Sequence, residues 1–236
     1  RFMREAHAVA ALNHPNVVAI YDVGETEGTA FIVMELLEGG SIGSRVRAGP
    51  IARDLAIDWL IQIAQALARA HEAGFVHRDI KPENLLIDGA NQVKVADFGI
   101  VKELAHGIET VGPAVPSVDA RHNLTVPGTM IGTPLYMAPE QLRGEPVDGR
   151  ADQYAWGIVA YLLLAGKHPY RIGKEVTTVD VANDRFVPQR VPSLVEAGPA
   201  VEQLVFRTLA AAPAARVASM SEVAETLRFA RNPSNK

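Results

Sequence analysis

The segment "ARDLAIDWLIQIAQALARAHEAG" (52–74) constrains the fold more than any other stretch of the chain. Leu55, Trp59, Leu60, Ile63, Leu67 and Ala70 recur at the helical period, so they share one apolar face. Such a helix persists in water only when a second apolar layer covers that face. Gly74 supplies its C-cap. The longest apolar run is "WGIVAYLLLAG" (156–166). It falls short of the roughly 20 residues that cross a bilayer and reads as a buried core helix.

Upstream, "RFMREAHAVAALNHP" predicts a helix with Phe2, Ala6, Val9, Ala10 and Leu12 on one face, stopped by Asn13 and Pro15. "VVAIYDVG" and "AFIVMEL" read as strands, and "GGSIGSRVRAGP" as a glycine-rich connection with one helical turn. "NLLI" and "QVKVA" read as short strands around a turn at Asp88–Gly89. From Leu104 to Thr133 the chain is rich in Gly, Pro, Ser and Thr and reads as a mobile loop, and beyond Ala151 it reads as helices with proline-rich connections. A few strands followed by many helices predicts an α+β fold of two unequal lobes. The net charge of −4 argues against a basic nucleic-acid-binding face. The absence of cysteine excludes disulfides and thiolate metal sites and suits a reducing compartment.

Three stretches carry the chemistry. In "HRDIKPEN" (77–84), Asp79 can accept a proton from an attacking hydroxyl, Lys81 can neutralise phosphate charge, and Asn84 offers an amide oxygen to a hard cation. In "ADFG" (96–99), Asp97 ends a strand and precedes a glycine, as suits a ligand for a phosphate-bridging Mg²⁺. "GTPLYMAPE" (132–140) can shape a shelf for a peptide. Phosphoryl transfer fits this inventory, since the protein then contributes mainly positioning and electrostatics. Turn and cap roles remain the alternative for Asp79, Asn84 and Asp97. His71, near the end of its helix, reads as a capping or packing residue, and no two histidines show metal-ligand spacing.

These stretches resemble the HRD, DFG and APE motifs of protein kinases, in order and spacing over nearly the whole chain. Through "NHPNVV", "FIVMELLEGGS", "GTPLYMAPEQL" and "ADQYAWG" the chain is similar to bacterial serine/threonine kinases of the eukaryotic-like (Hanks) type. The resemblance implies a two-lobe fold. Residues 1–37 would form a partial N-lobe (one helix, two strands) and hinge, and 38–230 a complete, mainly helical C-lobe with catalytic loop 77–84 and activation segment 97–140. Residues 231–236 would form a tail. It implies ATP and Mg²⁺ as cofactors, with Asp79 as base, Lys81 on the γ-phosphate, and Asn84 and Asp97 as metal ligands. Met34 falls at the gatekeeper position, where a core methionine would look the same; Glu35 to Leu37 would present backbone groups to adenine, with Leu86 beneath the ring. Val9, Ile20, His77 and Phe98 would form the apolar stack between lobes. Asp152 would anchor the catalytic loop, and Arg216 would pair with Glu140.

Lys81 and Thr133 resemble the serine/threonine rather than the tyrosine branch. Glu5 matches the helix glutamate that pairs with a strand lysine, and Arg78 the arginine that holds a phosphorylated activation-loop residue. Thr125 and Thr129 are the leading acceptors there, and Thr133 belongs to the substrate shelf. Only four residues precede Glu5, and the chain contains no GxGxxG loop or strand lysine ahead of it; "EGGSIG" (38–43) reads instead as a polar turn. The expectation is an N-terminally truncated kinase domain, weak or inactive alone, with a non-catalytic pseudokinase or scaffold as the alternative. Expected partners are protein substrates with Ser/Thr acceptors and a second copy for activation-loop phosphorylation. The expected location is cytoplasmic, which includes the cytoplasmic part of a membrane-anchored protein.

Overall fold

The computed structural model describes residues 12–26, 29–98, 133–171 and 176–231. The helix expected over the first residues, with Glu5 and Val9, lies outside them. So do the loop carrying Thr125 and Thr129 and nearly all of the tail.

Strands β1 (Ile20–Thr26) and β2 (Thr29–Met34) form an antiparallel ladder in which Val23 faces Ile32. Val23 is buried and Ile32 packs on the core, whereas Phe31 and Val33, on the other face, are exposed. The register shifts between Ile20 and Asp22, and Tyr21 at this irregularity turns to solvent. A second antiparallel pair, β3 (Leu85–Ile87) and β4 (Val93–Val95), buries Leu85, Ile87, Val93 and Val95 completely and directs Leu86 and Lys94 the other way. The two sheets are stitched by a short parallel bridge. Val18 N–H donates to the Val95 carbonyl (3.0 Å) and Val95 N–H to that of Asn16 (2.8 Å).

Between the sheets, helix α1 (Ile42–Ala48) runs for seven residues where the sequence suggested one turn. The reason is a reciprocal cap: Ser44 N–H donates to Ser41 Oγ (3.2 Å) and Ser41 N–H to Ser44 Oγ (3.1 Å). Helix α2 (Arg53–Glu72) carries the apolar face read from the sequence, with Trp59, Leu60, Ile63, Leu67 and Ala70 buried and Leu55 packed at the edge. It ends in a Schellman turn. Gly74, at φ +81°, lets its own N–H reach the His71 carbonyl and Phe75 N–H reach that of Ala70.

Three shorter helices flank the long α4 (Gly149–Ala165): α3 (Pro139–Arg143) packs on α5 (Thr178–Ala182), and α6 (Pro192–Glu196) packs on α4 itself. α4 is buried almost all round, as its composition requires. Trp156 in α4 donates its indole N–H to the Leu60 carbonyl of α2 (3.1 Å), which fixes the two central helices against each other. α7 (Pro199–Thr208) packs so tightly on α4 that a Cβ at Gly157 would meet Thr208 Oγ1 at 2.4 Å. α8 (Met220–Arg231) closes the outer side of α2. The architecture is α+β, with one continuous core running from both sheets through the helices. Among the described residues no helix is long and apolar enough to cross a membrane.

Candidate active site

Residues 77–84 cross the surface between α2 and β3, and their backbone is held from beneath by α4. Asp152, fully buried, accepts hydrogen bonds from His77 N–H (2.8 Å) and Arg78 N–H (2.7 Å), and its Oδ2 lies 2.8 Å from His71 Nε2. A carboxylate can be buried at this depth because three donors replace its water. Position 149 tightens the arrangement, since a Cβ there would meet His71 Nδ1 at 2.7 Å.

His77 is sealed from solvent, and burial pushes its pKa below the ordinary value although Asp152, Asp79 and Asp97 pull the other way. Its bonds fix one neutral tautomer. Nδ1 accepts from Asp79 N–H (3.2 Å), so the proton is on Nε2, which donates to the Ala96 carbonyl (2.8 Å). The ring also packs against Phe98, with centroids 4.7 Å apart. His77 therefore links the loop to the strand end that bears Asp97. Ile20 packs at the edge of the same core.

Asp79 is the meeting point of the loop. Lys81 Nζ donates to its Oδ2 (2.9 Å), and Asn84 Nδ2 donates to its backbone carbonyl (2.8 Å) and to Oδ2 (3.2 Å). With its NH₂ committed to Asp79, the buried Asn84 amide has its carbonyl oxygen left as the acceptor for a cation. Asp97 is exposed at the end of β4 and adopts φ +58°; Arg78, also exposed, adopts φ +65°. Left-handed backbone disfavours any side chain with a Cβ, least for Asp and Asn. Two such positions in one loop system are strain concentrated where the side chains must point outward. An amide oxygen and an exposed carboxylate fit Mg²⁺, which takes one or two protein oxygens and fills its shell with phosphates and water. Among the described residues no group of three or more His, Asp or Glu forms a self-sufficient metal cage.

Across from the loop, β2 leads into the extended segment 35–37. Met34 is 38 % exposed, so it is not a core methionine. The Glu35 carboxylate is pinned by two donors: Lys94 Nζ donates to both its oxygens (2.9 and 2.8 Å), and Ala19 N–H donates to Oε1 (2.8 Å). The Glu35 N–H donates to the Ala19 carbonyl (3.0 Å). The Leu37 N–H and carbonyl have no protein partner among the described residues. Leu86 is half-buried, on the opposite face of its strand from the buried Leu85 and Ile87.

On the far side, a 3₁₀ turn (Thr133–Tyr136) runs into α3; of Thr133 only the backbone is described. Gln141 donates to the Arg78 carbonyl (3.1 Å), joining α3 to the loop. Glu140 and Arg216 form a buried two-point ion pair (2.6 and 2.9 Å). The guanidinium also donates to the carbonyls of Ala210, Ala211 and Arg150, so all five of its N–H groups are used, and it lies over the Tyr154 ring. Tyr136 stands edge-on to His168, and His168 edge-on to Tyr170.

The structure thus brings Asp79, Lys81, Asn84, His77 and Asp152 into one bonded cluster, with Phe98 against it and Asp97 beside it. Sequence reading missed two pairings, one in this cluster and one in segment 35–37. His71, read as a cap or packing residue, bonds Asp152 across 81 positions, and Lys94 bonds Glu35 across 59. Neither pairing has a periodic signature.

A model of the protein kinase domain matches residues 1–227. The serine/threonine-protein kinase PknB of Mycolicibacterium smegmatis is 39% identical over 94% of this chain and 34% of its own length. Pkn1 of Myxococcus xanthus is 37% identical over 98% of this chain and 32% of its own, and a probable PknB of Lactococcus lactis is 39% identical over 86% and 30%. The chain belongs to the protein kinase domain family. It spans about a third of the length of these relatives, which are named serine/threonine-protein kinases.

Proposed function

We propose that this chain supplies the catalytic loop and substrate-binding part of a serine/threonine protein kinase, moving the γ-phosphoryl group of ATP to a protein hydroxyl. The observation that carries the reading is the Asp79 cluster: one carboxylate, held by a loop that Asp152 fixes from below, is shared by an ammonium and an amide. Asp79 would orient the acceptor hydroxyl and take its proton as the oxygen–phosphorus bond forms and the bond to the bridging oxygen breaks. Lys81, beside Asp79, would balance charge on the transferring group. Asn84 Oδ1 and Asp97 would hold Mg²⁺, which when bound neutralises phosphate charge. The polar groups of Leu37 would meet the adenine edge, with Leu86 below it and Met34 behind it. Arg78, projecting from its left-handed turn, would receive a phosphate placed at Thr125 or Thr129, and Thr133 would face the peptide. On this reading residues 1–37 and 38–230 are the smaller and larger lobes.

A second reading is a non-catalytic binding module in which Asp79, Asn84 and Asp97 are turn and cap residues; the bond from Asn84 to the Asp79 carbonyl favours it. The two are separated by following transfer of labelled γ-phosphate to a generic protein substrate. This chain, its Asp97→Ala variant and a version preceded by a glycine-rich loop and strand lysine are compared. Transfer that appears in the extended version and vanishes with Asp97→Ala supports the kinase reading; no transfer in either form supports the module.

A further inference from the structure

Beside the catalytic loop lies an open groove of about 500 Å³. Arg47 of α1, Glu83 of the loop's own 3₁₀ turn, Tyr136, Lys167, His168 and Arg171 contribute to its walls. Glu83 sits four residues after Asp79, so the groove adjoins the loop that carries that carboxylate. The charges are unequal: three cations and one carboxylate.

That carboxylate is already occupied, because Arg47 Nη1 lies 3.7 Å from Glu83 Oε1. An incoming lysine or arginine would have to displace Arg47 and then face two further cations. Lys167 and Arg171 are exposed and have no carboxylate partner among the described residues. Burial raises the pKa of Tyr136 and lowers that of His168, and the charge of Arg171, reaching across the groove, pushes both downwards. The walls are rigid, since Tyr136 and Tyr170 hold His168 edge-on from either side.

We infer that this groove selects protein segments whose acceptor serine or threonine is flanked by acidic residues, with Arg47, Lys167 and Arg171 as the recognising cations and the Arg47–Glu83 pair as the barrier to basic ones. The inference takes the acceptor's position from the kinase reading, but recognition can be measured without transfer.

The test uses three fluorescein-labelled, alanine-based peptides with a single threonine flanked by glutamate, glutamine or lysine. Anisotropy titrations with this chain at low salt should rank glutamate over glutamine over lysine. About tenfold should separate the first two, shrinking as salt rises, as three screened surface pairs would give. Arg47→Ala should weaken glutamate-peptide binding and strengthen lysine-peptide binding by freeing Glu83, and Arg47→Lys should restore the original order. Lys167→Glu/Arg171→Glu should reverse the ranking. Melting curves check that the variants fold; all three positions are exposed. Equal binding of all peptides, no binding of any, a preference for lysine, or variants that change nothing would each overturn the inference. Acidic preference without transfer by the extended version would sink the kinase reading and leave the groove standing. Transfer without acidic preference would do the reverse.

Discussion

On one side of the candidate site, Asp152 gathers three donors, Arg216 spends all five N–H groups, and His77 is held at both ring nitrogens, all beneath the surface. On the other, the β1–β2 ladder and segment 35–37 expose Tyr21, Phe31, Val33 and Leu36, the last at 85 %. That side is joined to the rest through two isolated bridges (Val17–Val95 and Ser41–Leu86), the Glu35–Lys94 pair and the inward faces of Val23 and Ile32. Buried polar groups must find partners or cost several kcal/mol each, so the helical side admits one arrangement. The hairpin side, wetted on one face, faces no such penalty and can shift by small amounts. The loop residues therefore sit on the stiff half, and the segment expected to meet a nucleotide base on the compliant half.

This contrast breaks most visibly at Arg216. Replacing it with alanine strands the buried Glu140 carboxylate, and urea unfolding should show a loss of about 3–5 kcal/mol. Glu140→Gln in the same chain should recover part of it. Asp152→Ala should cost a similar amount, about 3 kcal/mol or more, by orphaning two backbone N–H groups. If either variant unfolds like the parent chain, the stiff half is not stiff.

Acid should find the same half. An unfolded imidazole binds a proton below about 6.5. Burial and Arg171 push His168 down to about 4 in the folded chain, outweighing the opposing Leu135 backbone. Between those values the unfolded state holds more protons, so stability falls as pH drops from 6.5 to 4, by about 3 kcal/mol from His168. His77 shifts in the same direction. Denaturation midpoints across this range should slope downwards with acid, and His168→Gln should flatten the slope.

Lys94→Met tests the compliant half. Glu35 would keep the Ala19 N–H but lose its ammonium, and global stability should fall by only about 1 kcal/mol. Hydrogen exchange should nonetheless quicken at the Ala19 and Glu35 amides while the His77 and Arg78 amides stay protected. Equal quickening at both would mean that the halves open together. Leu36→Ser should change stability least, within about 0.5 kcal/mol, since that side chain already meets water.

The α2 face, the four short strands and the α+β class were legible in the sequence because each rests on a local period. The length of α1 was not, because two serines facing each other across a cap leave no periodic trace. His71 with Asp152 and Lys94 with Glu35 were hidden for another reason: each pair meets only once distant elements have packed. The groove draws on α1, the loop, the turn before α3 and the end of α4, so its charge balance exists only in the folded chain. Glu5, Thr125 and Thr129 fall outside the described residues.

The left-handed turns at Arg78 and Asp97 set selection for folding against selection for chemistry. Glycine adopts that backbone without steric penalty, and the relief, roughly 1–2 kcal/mol for an ordinary residue, exceeds what glycine's looser unfolded chain takes back. A randomised library sorted for heat resistance alone should therefore enrich glycine at 78, and less strongly at 97, where aspartate tolerates the turn. The surviving clones would be sturdier and would lack the guanidinium and the carboxylate.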